Sequence, residues 1–225
     1  MLNQNTFSEM APQINWDSAC IVGFGNHASN KLLPALDEIY KGKVSIVTRK
    51  FISDQSKYKY FPNLEESFNS LSDKTCFIIA TPPHTHFHFS KKILDSGRDV
   101  LVEKPSFLTS QELSNLIQIA ISNKLVLAEI FMYLENDLTK KLLNKIEMDL
   151  NKLRSIDFNF TIPSIPKNTY RNENSIENSV ISDMGCYPFS FLSNLNLDLN
   201  NFECNRVKTN NPNVIFYKFF NNIKP

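Results

Sequence analysis

Glycine and cysteine are scarce in this chain of 225 residues, which contains 5 glycines and 4 cysteines. The cysteines lie far apart and form no CxxC pair, so the sequence predicts reduced, mostly buried thiols and a cytoplasmic protein. An excess of charge of one sign is also lacking, because 24 Lys and Arg residues stand against 23 Asp and Glu residues. Bulk electrostatics therefore give no support to nucleic-acid binding.

Long hydrophobic runs are absent as well. No apolar run approaches the roughly 20 residues that a membrane-spanning helix needs, so no membrane association is predicted. The first twenty residues contain no Lys or Arg and no apolar core, so we expect no secretory signal there. With 42% hydrophobic and 21% charged residues, the composition excludes collagen-like and disordered chains.

Predicted strands and helices alternate from residue 18 to about residue 150. Short apolar segments at 18–22, 43–47, 75–80, 99–102 and 124–131 are separated by segments with helical spacing of apolar residues. This alternation predicts an α/β fold with a doubly wound parallel sheet.

The pattern changes after residue 150. Three more strands are predicted over 155–162, 202–207 and 214–220, with a helix over 179–194, which indicates a smaller α+β region with a mainly antiparallel sheet. We therefore expect an N-terminal arm over 1–17, an α/β domain over 18–125 and a shortened α+β domain over 126–225.

Two of the scarce glycines lie in one short motif between the first predicted strand and the first predicted helix. The motif fits G-x-G-x-x-A and consists of Gly23, Phe24, Gly25, Asn26, His27 and Ala28. The first glycine would allow a tight turn, and the second would let the backbone approach a pyrophosphate at the helix N-terminus. The motif therefore predicts dinucleotide binding, the alternative being an ordinary strand-to-helix turn.

A hydroxyl and two cations follow the second predicted strand, at Thr48, Arg49 and Lys50. A carboxylate at this place would accept the ribose 2′-hydroxyl of NAD and repel a 2′-phosphate. The residues present do the opposite, because a hydroxyl and two cations suit a phosphate. We expect NADP(H), with NAD(H) as the second candidate, unless the two cations are simply solvated at a strand end.

Three segments together resemble the Gfo/Idh/MocA oxidoreductase family. They are the glycine motif with LPAL at 33–36, ATPPHTH at 80–86 with GRDVLVEKP at 97–105, and DMGCYP at 183–188. The glucose–fructose oxidoreductase and dihydrodiol dehydrogenase branch is the most similar, because it carries Tyr in the third motif and an aromatic–Arg pair upstream, here Tyr170 and Arg171. The resemblance implies a Rossmann domain over 18–125.

The resemblance also implies an activity and a set of site residues. The reaction would move a hydride between a nicotinamide and a carbinol or carbonyl carbon of a sugar, polyol or cyclic diol. Lys104 would polarise the substrate oxygen, Tyr187 would move the hydroxyl proton, and Asp183, four residues earlier on the same helix face, would orient the pair. The implied cofactor contacts are Thr81, Pro82, His84, His86, Glu103 and Lys104, and the candidate substrate contacts are Glu129, Tyr170 and Arg171.

Several of these side chains have a purely structural alternative. Tyr187 lies among apolar neighbours and could be a core tyrosine, and Asp183 could cap a helix. His84, His86 and His88 alternate in a way that suggests zinc, but no Cys or carboxylate completes a ligand set, so we predict no metal.

The region after residue 150 departs from the family pattern. The glycines that usually precede the aspartate are absent from 177–182, and the second domain is C-terminally short, with about three strands. Such a sheet has exposed edges, so we expect a second copy of the chain to cover it, giving a homo-oligomer. The alternatives to an enzyme are a non-catalytic dinucleotide-binding sensor and a truncated, partner-dependent pseudo-enzyme.

Overall fold

The chain divides into two units, Met1–Ile130 and Phe131–Pro225. The computed structural model describes residues 14–50, 52–53, 56–152, 156, 158, 181–195, 202–207 and 216–221. The boundary between the units follows residue 130, whereas the sequence suggested a division after residue 125. The later boundary leaves the last strand of the parallel sheet in the first unit.

Six parallel strands in the order β3-β2-β1-β4-β5-β6 form the sheet of the first unit. Their bounds are β1 Ser18–Val22, β2 Val44–Val47, β3 Lys59–Phe61, β4 Thr75–Ile79, β5 Val100–Glu103 and β6 Leu127–Ile130. Ile21 of β1 is in register with Ile46 of β2 on one side and Ile78 of β4 on the other. This order is the doubly wound arrangement, so the predicted fold class is confirmed.

Helices cover both faces of this sheet. A π-helical turn at Ala28–Leu32 continues into α1 at Leu33–Tyr40, and the others are α2 Leu64–Ser70, α3 His86–Asp95 and α4 Ser110–Asn123. The helix α2 begins where the Asn63 side chain accepts the amide of Glu66. The helix α4 begins at a capping box in which Thr109 accepts the amide of Glu112 and the Glu112 carboxylate accepts the amide of Thr109.

The core has two halves because successive strand residues point to opposite faces. On one face, β-strand residues such as Phe77 and Val100 pack with Ile93 and Leu116 from α3 and α4. On the other face, the strands pack against the segment of Ala28 to Leu33. Parallel strands that are buried on both sides leave polar chemistry to their ends.

The edge strand β3 was missed by the sequence analysis, which predicted five strands for this sheet. Lys59, Tyr60 and Phe61 are exposed, half-buried and buried in turn, and they pair with β2 alone. Three residues at a sheet edge bury too little apolar surface to give a periodic signal.

The second unit contains helices and an antiparallel strand pair. A 3₁₀ turn at Met132–Glu135 precedes α5 at Asp137–Met148 and a second 3₁₀ turn at Leu150–Lys152. A π-helical turn at Ile181–Gly185 continues into α6 at Cys186–Asn194, and β7, Phe202–Val207, pairs with β8, Phe216–Asn221. The helix and two of the predicted strands are therefore present. The strand predicted over 155–162 lies outside the described residues except for 156 and 158.

None of the described helices combines the length and apolar character that crossing a bilayer requires.

Candidate active site

The glycine turn after β1 packs tightly against the turn after β4. Gly23 has a φ of +97°, and its amide donates to the carbonyl of Val47 over 2.9 Å. A Cβ on Gly23 would lie 2.7 Å from Cγ2 of Thr81 and 3.0 Å from the carbonyl oxygen of Ala80. Neither the backbone conformation nor the space tolerates a side chain there.

Gly25 plays a different part, because a Cβ there would meet no heavy atom within 4 Å. Helical structure begins directly after it, and the amide of Ser29 donates to its carbonyl over 3.0 Å. Strands β1 and β4 are neighbours from which the chain proceeds in opposite directions, and ligands of such sheets bind at this switch point. Open space, a helix N-terminus and a switch point together fit a dinucleotide pyrophosphate.

Two side-chain contacts link the glycine turn to neighbouring loops. Nζ of Lys50 donates to the carbonyl of Phe24 over 2.8 Å. Nε2 of His27 lies 3.0 Å from a carboxylate oxygen of Glu103 at the end of β5. The structure therefore brings together four residues that the sequence analysis proposed for the cofactor.

The other predicted cofactor residues near this turn face outward or along their own segment. Asn26 accepts the side-chain amide of Asn30 over 2.6 Å, and the Thr48 hydroxyl accepts the amide of Lys50 over 3.1 Å. Arg49 is exposed beside them.

His86 has a different position from the other two histidines of its motif. Its side chain is 1% exposed, with Nε2 at 2.7 Å from the Thr81 carbonyl. Nδ1 lies 3.1 Å from the Pro105 carbonyl and 3.0 Å from that of Ser106. Both ring nitrogens thus face backbone, which gives His86 a structural task, and its predicted cofactor contact stays a prediction.

The alternating histidines do not converge on one point. His84 and His88 are exposed, whereas His86 is buried. Among the described residues, no three His, Cys, Asp or Glu side chains are grouped so that they could hold a metal ion.

Lys104 stands on the loop after β5, which begins with a cis peptide bond between Lys104 and Pro105. Glu129 on the adjacent strand β6 accepts the amide of Ser106 over 2.8 Å. The pKa of the Glu129 carboxyl is raised, chiefly by burial and also by the charge of Glu103. The hydrogen bonds with Ser106 and the charge of Lys104 act in the opposite direction. One oxygen of this predicted substrate contact is therefore used to hold the loop.

The second unit contains Asp183 and Tyr187. Asp183 lies in the π-helical turn and Tyr187 lies four residues later in α6. The Tyr187 ring packs against Phe131, at a centroid distance of 5.8 Å, and against Tyr133, at 5.3 Å. The Tyr133 hydroxyl donates to the Tyr187 carbonyl over 3.1 Å and also bonds the hydroxyl of Ser190.

The sequence analysis did not predict that Tyr133 contacts the candidate catalytic residue Tyr187. The signal that could have indicated it is an aromatic residue just after β6. Tyr170 and Arg171, the other predicted substrate contacts, lie outside the described residues.

The sequence matches the family model described as "Oxidoreductase family, NAD-binding Rossmann fold" over residues 18–131, just over half of the chain. The chain belongs to this Gfo/Idh/MocA family. A dTDP-3,4-didehydro-2,6-dideoxy-α-D-glucose 3-reductase of Saccharopolyspora spinosa is 25% identical over 179 residues, which are 75% of this chain and 52% of that relative. This chain thus spans about half the length of such curated relatives.

Two solved structures that are similar to most of this chain support the fold. The 3-ketoreductase KijD10 of Actinomadura kijaniata, solved with NADP and TDP-benzene, has a TM-score of 0.68 at 20% identity, covering 84% of this chain and 60% of its own. The WlbA dehydrogenase of Thermus thermophilus, solved with NAD and α-ketoglutarate, has a TM-score of 0.62 at 16% identity, covering 83% and 65%. Proteins with this fold have therefore been solved with NADP and with NAD.

The two glycines of the motif should respond differently to alanine. Gly23→Ala should lower the free energy of unfolding by about 1–3 kcal/mol, because it adds backbone strain and a contact with Thr81. Gly25→Ala should leave that free energy unchanged within about 0.5 kcal/mol, since its Cβ enters open space. Urea unfolding of the two variants measures this difference, and equal losses would contradict the assignment.

The buried His86 ring should make stability depend on pH. Burial lowers the pKa of His86, while the carbonyls of Thr81, Ser106 and Pro105 and the charge of Glu103 act in the opposite direction. The unfolded chain takes up this proton near pH 6.5, before the folded chain does, so stability should fall as the pH is lowered from about 6.5. Imidazole NMR signals that disappear in His86→Gln should titrate below that pH, and titration above it would show the opposite sign.

Proposed function

We propose that the protein is an NAD(P)-dependent oxidoreductase that transfers a hydride between a nicotinamide and a carbinol or carbonyl carbon of a sugar, polyol or cyclic diol. The observation that carries the proposal is the packing of Gly23 on Thr81 at the carboxyl edge of the sheet, beside the open space at Gly25. Dinucleotides bind sheets of this strand order at that edge. The dTDP-sugar reductases among the relatives favour a sugar substrate.

The residues at this edge suit each part of the cofactor. Backbone amides of the glycine turn and the helix after it would hold the pyrophosphate. The cations Arg49 and Lys50 would take the adenosine end, and Thr81, Pro82 and Glu103 the nicotinamide ribose. The nicotinamide, when bound, accepts or supplies the hydride.

The chemical step would be carried by three side chains of this protein. Lys104 would donate to the substrate oxygen and stabilise the negative charge that develops there. Tyr187 would exchange the hydroxyl proton with the substrate, and Asp183 would bind a neighbouring hydroxyl. The aromatic contacts of Tyr187 hold its ring in one orientation, which proton transfer requires.

A preference for NADP(H) should depend on the cations after β2. Replacing Arg49 and Lys50 together by Ala should weaken NADPH binding by about 10- to 100-fold and NADH binding much less, because charge-assisted bonds to a 2′-phosphate are lost. Lys145→Ala, which removes an exposed cation from α5, serves as the control. Nicotinamide fluorescence titrations measure both affinities, and equal losses for NADPH and NADH would argue against a 2′-phosphate site.

Turnover should depend on Lys104. Lys104→Met should lower kcat by about 10²- to 10³-fold on dTDP-linked keto sugars or polyols, while dinucleotide binding persists. Steady-state NAD(P)H absorbance measures turnover, and unchanged turnover would exclude the proposed role of Lys104. Dinucleotide binding without turnover in the unaltered protein would instead indicate the sensor, and a folded chain that binds neither dinucleotide would overturn the proposal.

A further inference from the structure

We infer that His86 and Glu129 are positioning residues, which hold the Lys104 loop (residues 104–107) at a fixed place beside the turn after β4. These contacts do not depend on the proposed function, whereas their catalytic role rests on it. Both side chains were expected from the sequence to touch cofactor or substrate. Their observed partners are backbone groups of the two loops that would flank the nicotinamide.

The His86 ring separates the two loops. It lies between the Thr81 carbonyl on one side and the carbonyls of Pro105 and Ser106 on the other, at 2.7 to 3.1 Å. Carbonyl oxygens only accept, so a neutral ring donates to one side and its other nitrogen faces a carbonyl without a hydrogen bond, while a charged ring donates to both. In either state, the width of the imidazole sets the distance between the loops.

The helix that carries this ring is anchored in the core. His86 is the first residue of α3, and the buried side chains of Ser90, Ile93 and Leu94 fix that helix in the core. The Thr85 hydroxyl, just before the helix, lies 2.7 Å from both the Thr81 hydroxyl and the Pro82 carbonyl, and can donate to either. The ring therefore cannot shift without moving the helix or the turn after β4.

Glu129 holds the same loop from the neighbouring strand. It is in register with Val102 of β5, and its carboxylate accepts the amide of Ser106 over 2.8 Å. The peptide groups of Ser106 are thus bound on both sides, the amide by Glu129 and the carbonyl by His86. Lys104 lies two residues earlier on the same loop, so we expect this double attachment to fix the backbone from which its side chain extends.

Paired variants of His86 and Glu129 distinguish the loss of a hydrogen bond from a change in side-chain volume. His86→Phe keeps a ring but removes both nitrogens, whereas His86→Gln keeps a donor. Glu129→Leu removes the acceptor, whereas Glu129→Gln keeps one. Ser90→Ala is the matched control, because Ser90 is equally buried in α3 and its hydroxyl has no hydrogen-bond partner among the described residues.

Amide hydrogen exchange tests the attachment without any ligand. In His86→Phe and Glu129→Leu, the peptide that covers 104–108 should exchange about tenfold faster, with β4 and α4 unchanged. The Gln variants should restore part of the protection, and Ser90→Ala should leave it intact. Unchanged exchange at 104–108 in both His86→Phe and Glu129→Leu would overturn the inference. If His86→Phe does not fold, Glu129→Leu and His86→Gln decide the outcome.

Ligand binding distinguishes positioning from a general loss of stability. The preferred dinucleotide is compared with the matching ADP-ribose, which lacks the nicotinamide. His86→Phe should weaken binding of the dinucleotide by about tenfold relative to binding of the ADP-ribose. The reason is that the displaced loops would flank the nicotinamide, which the ADP-ribose lacks. Equal weakening of both ligands would overturn the inference. If the unaltered protein binds neither ligand, the proposed function fails, and the exchange experiment still decides the positioning role.

Discussion

The packing of the turn after β1 against the turn after β4 is the constraint on which the candidate site depends. All five residues of β4 are buried, so the strand itself offers no surface for chemistry. Polar groups can therefore gather only where the strand ends, and Gly23 lets the β1 turn approach Thr81 there. Any side chain at position 23 would push the two turns apart and change the crevice that a dinucleotide would enter.

Thr81 connects this contact to the rest of the sheet edge. Gly23 packs against its methyl group, Thr85 bonds its hydroxyl and His86 lies against its carbonyl. From His86 the connection continues through Ser106 to Glu129. These contacts thereby link the ends of four adjacent strands, β1, β4, β5 and β6.

The sequence was informative where the signal is local and periodic. Apolar runs that alternate with segments of helical spacing predicted the parallel sheet, because both periodicities are carried by residues that are neighbours in the sequence. The orientation of His86 could not be predicted, since two of its three partners are backbone carbonyls of a loop about 20 residues away. The partner of Glu129 is likewise a backbone amide, which leaves no trace in the residue types.

The distribution of charge at the sheet edge favours an anionic ligand. Glu103 faces His27, and Glu129 bonds a backbone amide, so both carboxylates already have partners. Lys50 donates a hydrogen bond to a backbone carbonyl, and this bond does not neutralise the positive charge of Lys50. Three cations, Arg49, Lys50 and Lys104, thus stand against the two carboxylates at this edge, although the chain as a whole has a net charge of only +1.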